Sequence, residues 1–90
     1  MMKDFHAVLT HYWFDEIYEG RKFIEYRDNN PYWQKRIIEK NPDRVIFHRG
    51  YTNEVMLAEI SKIDIGDCPY DGWDDNYIRV HFCNVEGGRI

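Results

Sequence analysis

Cysteine is scarce in this chain of ninety residues and its histidines are scattered, and each pattern rules something out. The two cysteines, Cys68 and Cys83, stand far apart and form no C-x-x-C pair. A disulfide-stapled scaffold is therefore excluded, and two buried thiols in a reducing compartment are expected. The four histidines (His6, His11, His48, His81) show neither H-x-x-x-H nor H-E-x-x-H spacing, so neither a zinc site nor any other metal is expected. No apolar run approaches a membrane span; the longest is Val55-Met56-Leu57-Ala58. No cationic segment leads into an apolar stretch at the N-terminus, so no signal peptide is read and a cytoplasmic location is expected. Internal repeats, low-complexity tracts and linkers are also missing. One domain over residues 1–90 is the reading, with its core in residues 5–83 and a frayed C-terminal tail at Gly87-Gly88.

What the chain does hold is aromatic surface and unevenly placed charge. Apolar residues make up 43% and aromatic residues 17% of it. That is enough for a compact core with rings left over for the surface. The net charge is −4, which taken alone argues against nucleic acid. Its distribution argues the other way. Residues 21–49 hold eight of the twelve cations against four acids, a local +4, while the remainder carries −8. A charge field polarised in this way steers an anionic ligand towards one face.

Phe5, Ala7 and Leu9 alternate with His6, Val8 and Thr10, which predicts a first strand over residues 5–10. Thr10 can cap a short helix over 11–19, whose stripe is Trp13, Phe14, Ile17 and Tyr18 and whose end is marked by Gly20 at C′. Residues 23–27 read as a second strand. Asn30-Pro31 starts a second helix over 32–40, with Trp33, Ile37 and Ile38 as candidates for its inner side. Strands follow over 44–49, 54–65 and 77–83, the last alternating Ile78, Val80 and Phe82 against Arg79 and His81. Residues 66–76 are loop-like, being rich in Gly, Pro, Asp and Asn. Five strands and two helices without βαβα alternation predict a small α+β fold, a partly open β-barrel of about five strands with helices at its mouth or flank.

The segment Gly20-Arg21-Lys22-Phe23-Ile24-Glu25-Tyr26-Arg27 crowds a lysine, a glutamate and an arginine around one helix-to-strand junction. Its G-x-K-x-x-E-x-R pattern follows Trp13 and Ile17, and precedes Val45-Ile46-Phe47 and then Ala58-Glu59-Ile60 with Ile63. Over roughly residues 5–83 this arrangement resembles the ASCH domain, a branch of the PUA-like superfamily. The resemblance implies a β-barrel with a cleft between barrel and helices, suited to RNA, a nucleotide or a nucleoside. It implies an RNA-binding role for most members, hydrolysis of an acylated cytidine for one branch and ribonuclease activity for some others. Lys22 matches the lysine of the amidohydrolase branch. That branch has a threonine nucleophile three residues later, where this chain has Glu25. It also uses a downstream glutamate, where residues 66–76 offer only Asp67, Asp71, Asp74 and Asp75. The glutamate at position 25 therefore tells against acyl-enzyme chemistry and for binding.

On the second strand, Phe23, Glu25 and Arg27 share one face, with Ile24 and Tyr26 on the other. Hydropathy points Ile24 and Tyr26 into the barrel, leaving Glu25 and Arg27 towards the cleft. Arg27 suits bidentate contact with phosphate or carboxylate. Lys22, desolvated beside Arg21 and Arg27, suits a base or a nucleophile. Glu25 suits proton transfer, or a hydrogen bond from an exocyclic base amine. A self-satisfied Lys22–Glu25–Arg27 ion cluster remains an alternative to both binding and catalysis. Tyr70 and Trp73, in the loop, are the rings expected to stack on a base, whereas helical spacing puts Trp13 and Trp33 in the core. Arg49, beside the Gly50 turn, is a further phosphate candidate. The four loop aspartates match no calcium loop. The expectation is a cofactor-independent module binding RNA or a nucleotide through Lys22, Glu25, Arg27, Arg49, Tyr70 and Trp73. The alternative is a small metal-independent hydrolase of a modified nucleoside or of RNA, with Lys22 and Glu25 as its acid/base pair.

Overall fold

Period-two alternation builds the sheet. In the computed structural model, which describes residues 3–70 and 76–87, strand β1 (Asp4–Leu9) buries Phe5, Ala7 and Leu9 and leaves His6 and Val8 outside. Strand β3 (Arg44–Arg49) buries Val45 and Phe47, and β4 (Val55–Gly66) buries Met56 and Ala58. Strand β5 (Tyr77–Gly87) buries Ile78, Val80 and Phe82. With the short β2 (Ile24–Arg27), these strands form a curled half-barrel in the order β1-β3-β4-β5-β2. Only β1 and β3 run parallel; the other pairs are antiparallel. A parallel neighbour needs a crossover, and residues 10–43 supply it, carrying both helices and β2.

Helix α1 (His11–Tyr18) starts where Thr10 Oγ1 accepts the Trp13 amide. It turns Phe14 and Ile17 into the core against β1 and β3, while Tyr18, expected in the same stripe, is 43% exposed. Its end is a Schellman motif: the Gly20 amide donates to Ile17 O and the Arg21 amide to Glu16 O. That geometry requires a left-handed residue, and Gly20 has φ +79°. The reversal delivers Lys22 to the interior within two residues.

The second helix departs from expectation. Asn30 Oδ1 caps the Trp33 amide at 3.0 Å and Pro31 occupies the first turn of α2 (Pro31–Trp33). The segment then widens into a π-helix, Gln34–Glu39, with the Lys40 amide donating to Lys35 O. Trp33 and Ile37 share a face in either ladder, so hydrophobic spacing cannot distinguish the two. Ile37 is fully buried, whereas Ile38 points to solvent.

Strand β5 is also longer than its alternation indicates. Its last two residues remain paired to β4, with Leu57 opposite Glu86 and Met56 opposite Gly87. A register shift beside Asn84, at φ +53°, interrupts the alternation there. The pairing therefore includes Gly87, while residue 88 of the expected tail lies outside the described residues. Cys68 is buried as expected, but Cys83 is exposed, and both thiols are free. Among the described residues, no helix is long and apolar enough to cross a membrane.

Candidate ligand-binding site

Strand β2 lies at the sheet edge, hydrogen-bonded to β5 with Glu25 opposite Val80 and Arg27 opposite Ile78. Directly opposed residues of antiparallel strands share a face. Glu25 and Arg27 therefore lie on the core side, with the buried Val80 and Ile78. Ile24 and Tyr26, expected to point into the barrel, instead share the outer face with His81 and Arg79. The reason is register. The inward alternation of β5 and the turn at Gly20 fix which face of β2 looks inward, and the four-residue strand's own hydropathy is too weak to reverse them.

On that inner face the three charges of the octapeptide meet. Lys22 Nζ lies 2.8 Å from Glu25 Oε1, and Arg27 Nη2 lies 2.7 Å from Glu25 Oε2. The lysine and glutamate side chains are 7% and 4% exposed, and the arginine 17%. Each carboxylate oxygen is thus held by its own cation. Burying a carboxylate costs several kcal/mol, and paired charge-assisted hydrogen bonds offset that cost.

Two tryptophans bracket the triad. Lys22 Nζ sits 4.5 Å from the Trp13 ring centre, and Arg27 Cζ sits 4.9 Å from that of Trp33. Both distances lie within the range of cation–π attraction. The Tyr70 ring packs 4.6 Å from Trp13 and 5.8 Å from Tyr26. Burial pushes the pKa of both tyrosines up, so they are neutral donors at physiological pH. The same segment buries Cys68, whose thiol is likewise pushed up by burial.

The triad is not balanced. Two cations face one carboxylate, leaving a net positive charge in a largely desolvated setting. Arg27 Nε is buried, and among the described residues it has no hydrogen-bond acceptor. An unsatisfied buried donor of this kind calls for a specific cause, because leaving one unmade costs about 1–3 kcal/mol. An incoming acceptor oxygen is one such cause.

Of the remaining expected site residues, Arg49 lies elsewhere. Arg49 reaches Asp15 at 3.1 and 3.3 Å and Glu54 at 3.5 Å, pinning α1 to the end of β3. It makes no contact with the triad. Trp73 lies outside the described residues, as do Asp71, Asp74 and Asp75. Asp67 is exposed, and its backbone carbonyl accepts from Arg79. The roles of Trp13 and Trp33 exceed the core packing expected of them: both touch the core and each also faces a triad cation.

A second ion cluster was not foreseen. Asp64 accepts from Arg79 at 2.8 and 2.9 Å, from His81 at 3.1 Å and from Lys62 at 3.2 Å. The Arg79 guanidinium, above all, holds the Asp64 carboxyl well below the usual carboxylate range. Its signal was the outward alternation of β4 and β5, which sets Asp64 opposite Arg79. Its extra cation, Lys62, is 64% exposed and solvated, so the cluster ties two strands together without burying an excess of charge. No protein-family model, curated protein or solved structure matches this chain.

Proposed function

We propose that this protein is an ASCH-type, PUA-like binding module for single-stranded RNA or a nucleotide-like ligand. The observation that carries the reading is the buried, unaccepted Arg27 Nε within a two-cation, one-carboxylate triad between Trp13 and Trp33. Arg27 and Lys22 supply donors to a phosphate or base oxygen. Glu25 holds both cations in place, so it acts as a positioning residue. Tyr70 and the two tryptophans offer the apolar faces that nucleobases stack on, at about 1–3 kcal/mol per base. The test is a low-salt titration of a fluorescent RNA panel against the wild type and Arg27→Ala. Binding should weaken as salt rises and weaken again in the variant. Absence of binding across the panel at low salt rejects the reading.

A second reading, a small hydrolase of an acylated nucleoside or of RNA, draws on one distance. Lys22 Nζ and Glu25 Oε1, at 2.8 Å, are within proton-transfer range. It requires turnover that is lost in both Lys22→Ala and Glu25→Ala. Activity that survives either change removes those residues from the acid/base role.

A further inference from the structure

Ion pairing sorts the cations of this chain into two groups. Among the described residues, Arg21, Lys22, Arg27, Arg44, Arg49, Lys62 and Arg79 each have a carboxylate within 4 Å. Lys3, Lys35, Arg36 and Lys40 have none. These four are not scattered. Three lie on the Gln34–Glu39 π-helix and its cap, and Lys3 Nζ donates to the backbone carbonyl of Lys40 at 3.2 Å. Lys40 Nζ in turn reaches Asp4 O at 3.2 Å. Glu39 is the only acid on the segment, against three cations. Among the described residues, three of the four cations without a carboxylate are therefore gathered on one helix, although the overall charge is −4.

That helix is physically continuous with the triad. Arg27 lies over Trp33, the Tyr32 ring meets Trp33 edge-on at 4.8 Å, and Arg36 Cζ sits 3.6 Å from the Tyr32 ring centre. Arg27, Trp33, Tyr32 and Arg36 thus form a continuous stack, two rings between two guanidiniums, leading from the buried site to the surface. Tyr32 is 54% exposed. Beside this stack is a cavity of about 250 Å³, between Tyr32, Trp33, Arg36 and Lys40 on one side and Asp4, Phe5 and His6 of β1 on the other, the Asp4 carboxylate being paired with Arg44. Cations flanking aromatic rings match the two components of a single strand, its phosphates and its base faces. An acidic peptide would use the cations and leave the rings unexplained.

We propose that the face formed by Lys35, Arg36, Lys40 and Tyr32 is the track along which the backbone of a single-stranded RNA leaves the Lys22–Glu25–Arg27 site. The proposal rests on the binding role assigned to that site, and makes the preferred ligand a polymer. The experiment compares a fluorescein-labelled mixed-sequence RNA dinucleotide with a decanucleotide, at several salt concentrations. The proteins are the wild type, Arg27→Ala, and the triple variant Lys35→Gln, Arg36→Gln, Lys40→Gln. All three substitutions are at exposed positions, and circular dichroism confirms folding.

The decanucleotide should bind more tightly, and the triple variant should erase that advantage while leaving the dinucleotide unchanged. Removing three phosphate contacts lowers the logarithmic salt slope by about 2, which is about a hundredfold in affinity near 0.1 M salt. Equal affinity for the two lengths, or a triple variant that keeps the length advantage, overturns the track and leaves the triad's role standing. A length advantage that depends on the helix but not on Arg27 supports the track and rejects the triad as the base site. No binding of either probe overturns both. Equal loss of binding to anionic lipid vesicles and to RNA in the triple variant replaces the track with a general polyanion surface.

Discussion

Replacing Glu25 with glutamine changes one oxygen to nitrogen and nothing in size, yet it should be among the most damaging single substitutions available. The Glu25 side chain is 4% exposed and accepts from Lys22 at 2.8 Å and from Arg27 at 2.7 Å, one cation on each oxygen. The amide can accept from only one of them. Its nitrogen then faces the other donor to donor, and two largely buried cations lose the one carboxylate they have among the described residues. Breaking a buried pair by removing one partner costs about 3–5 kcal/mol. In a domain of this size each kcal/mol moves Tm by roughly 4–8 °C, so the midpoint should fall by at least ~12 °C. The assay is thermal unfolding followed by circular dichroism at neutral pH. Its control is the double variant Lys22→Met, Glu25→Gln, which removes a stranded cation together with the carboxylate. The double variant should be more stable than Glu25→Gln alone, because Met fills the lysine's space without a charge to strand. A Tm within about 5 °C of wild type for Glu25→Gln, or a double variant showing the sum of both losses, refutes the claim that the three charges form one desolvated unit.

Three further outcomes follow from the same physics. His48 has its pKa lowered by burial and by the neighbouring His6, whose Nδ1 lies 2.9 Å from His48 Nε2. A depressed folded-state pKa favours the neutral ring, so this part of the stability is intact above about pH 6.5 and is lost as pH falls below it. Melting temperatures should drop between about pH 7 and pH 5, and an NMR titration placing His48 at or above 6.5 would contradict this. Gly20→Ala should cost about 1–2 kcal/mol through backbone strain alone, since φ is +79° and an added Cβ meets nothing within 4 Å. Gly20→Asn, better tolerated in that conformation, should recover part of the loss in urea unfolding. Iodoacetamide should label the exposed Cys83 in the folded protein and reach the buried Cys68 only after unfolding. Mass spectrometry reads the two directly, and equal labelling in the native state would contradict the burial of Cys68.

Much of the sheet was legible because its strands are regular. Phe5-Ala7-Leu9 and Ile78-Val80-Phe82 alternate without error, and both sets are buried. Capping was legible for the same local reason: Thr10 and Asn30 accept from amides three residues on, and the Gly20 amide donates to a carbonyl three residues back. What failed was anything decided at a distance. The inward face of β2 is fixed by its register with β5, so Glu25 and Arg27 lie inside although Ile24 and Tyr26 are the more apolar pair. The π-helix keeps Trp33 and Ile37 on one face, so spacing carried no trace of it. The last residues of β5 pair across a bulge that breaks their alternation.

Charge was the least legible quantity, and the reason bears on function. Counting residues 21–49 gives eight cations and a local excess, as if the whole stretch could meet an anion. Five of the eight are neutralised or held by carboxylates, and Asp4, Asp15, Glu16 and Glu54, the acids that hold Arg44, Arg49 and Arg21, lie outside that window. Pairing across elements thus subtracts charge where the sequence shows it and leaves it where the sequence looks ordinary, on Lys35, Arg36 and Lys40. Within the triad the subtraction is incomplete by one unit, and there a buried guanidinium nitrogen has no acceptor. A chain selected only for stability would gain by replacing such a cluster with apolar residues, since well-packed substitutes for buried ions are often neutral or stabilising by about 1–4 kcal/mol. Retaining an unbalanced charge between two indole rings is consistent with a partner that arrives from outside and carries the missing negative charge.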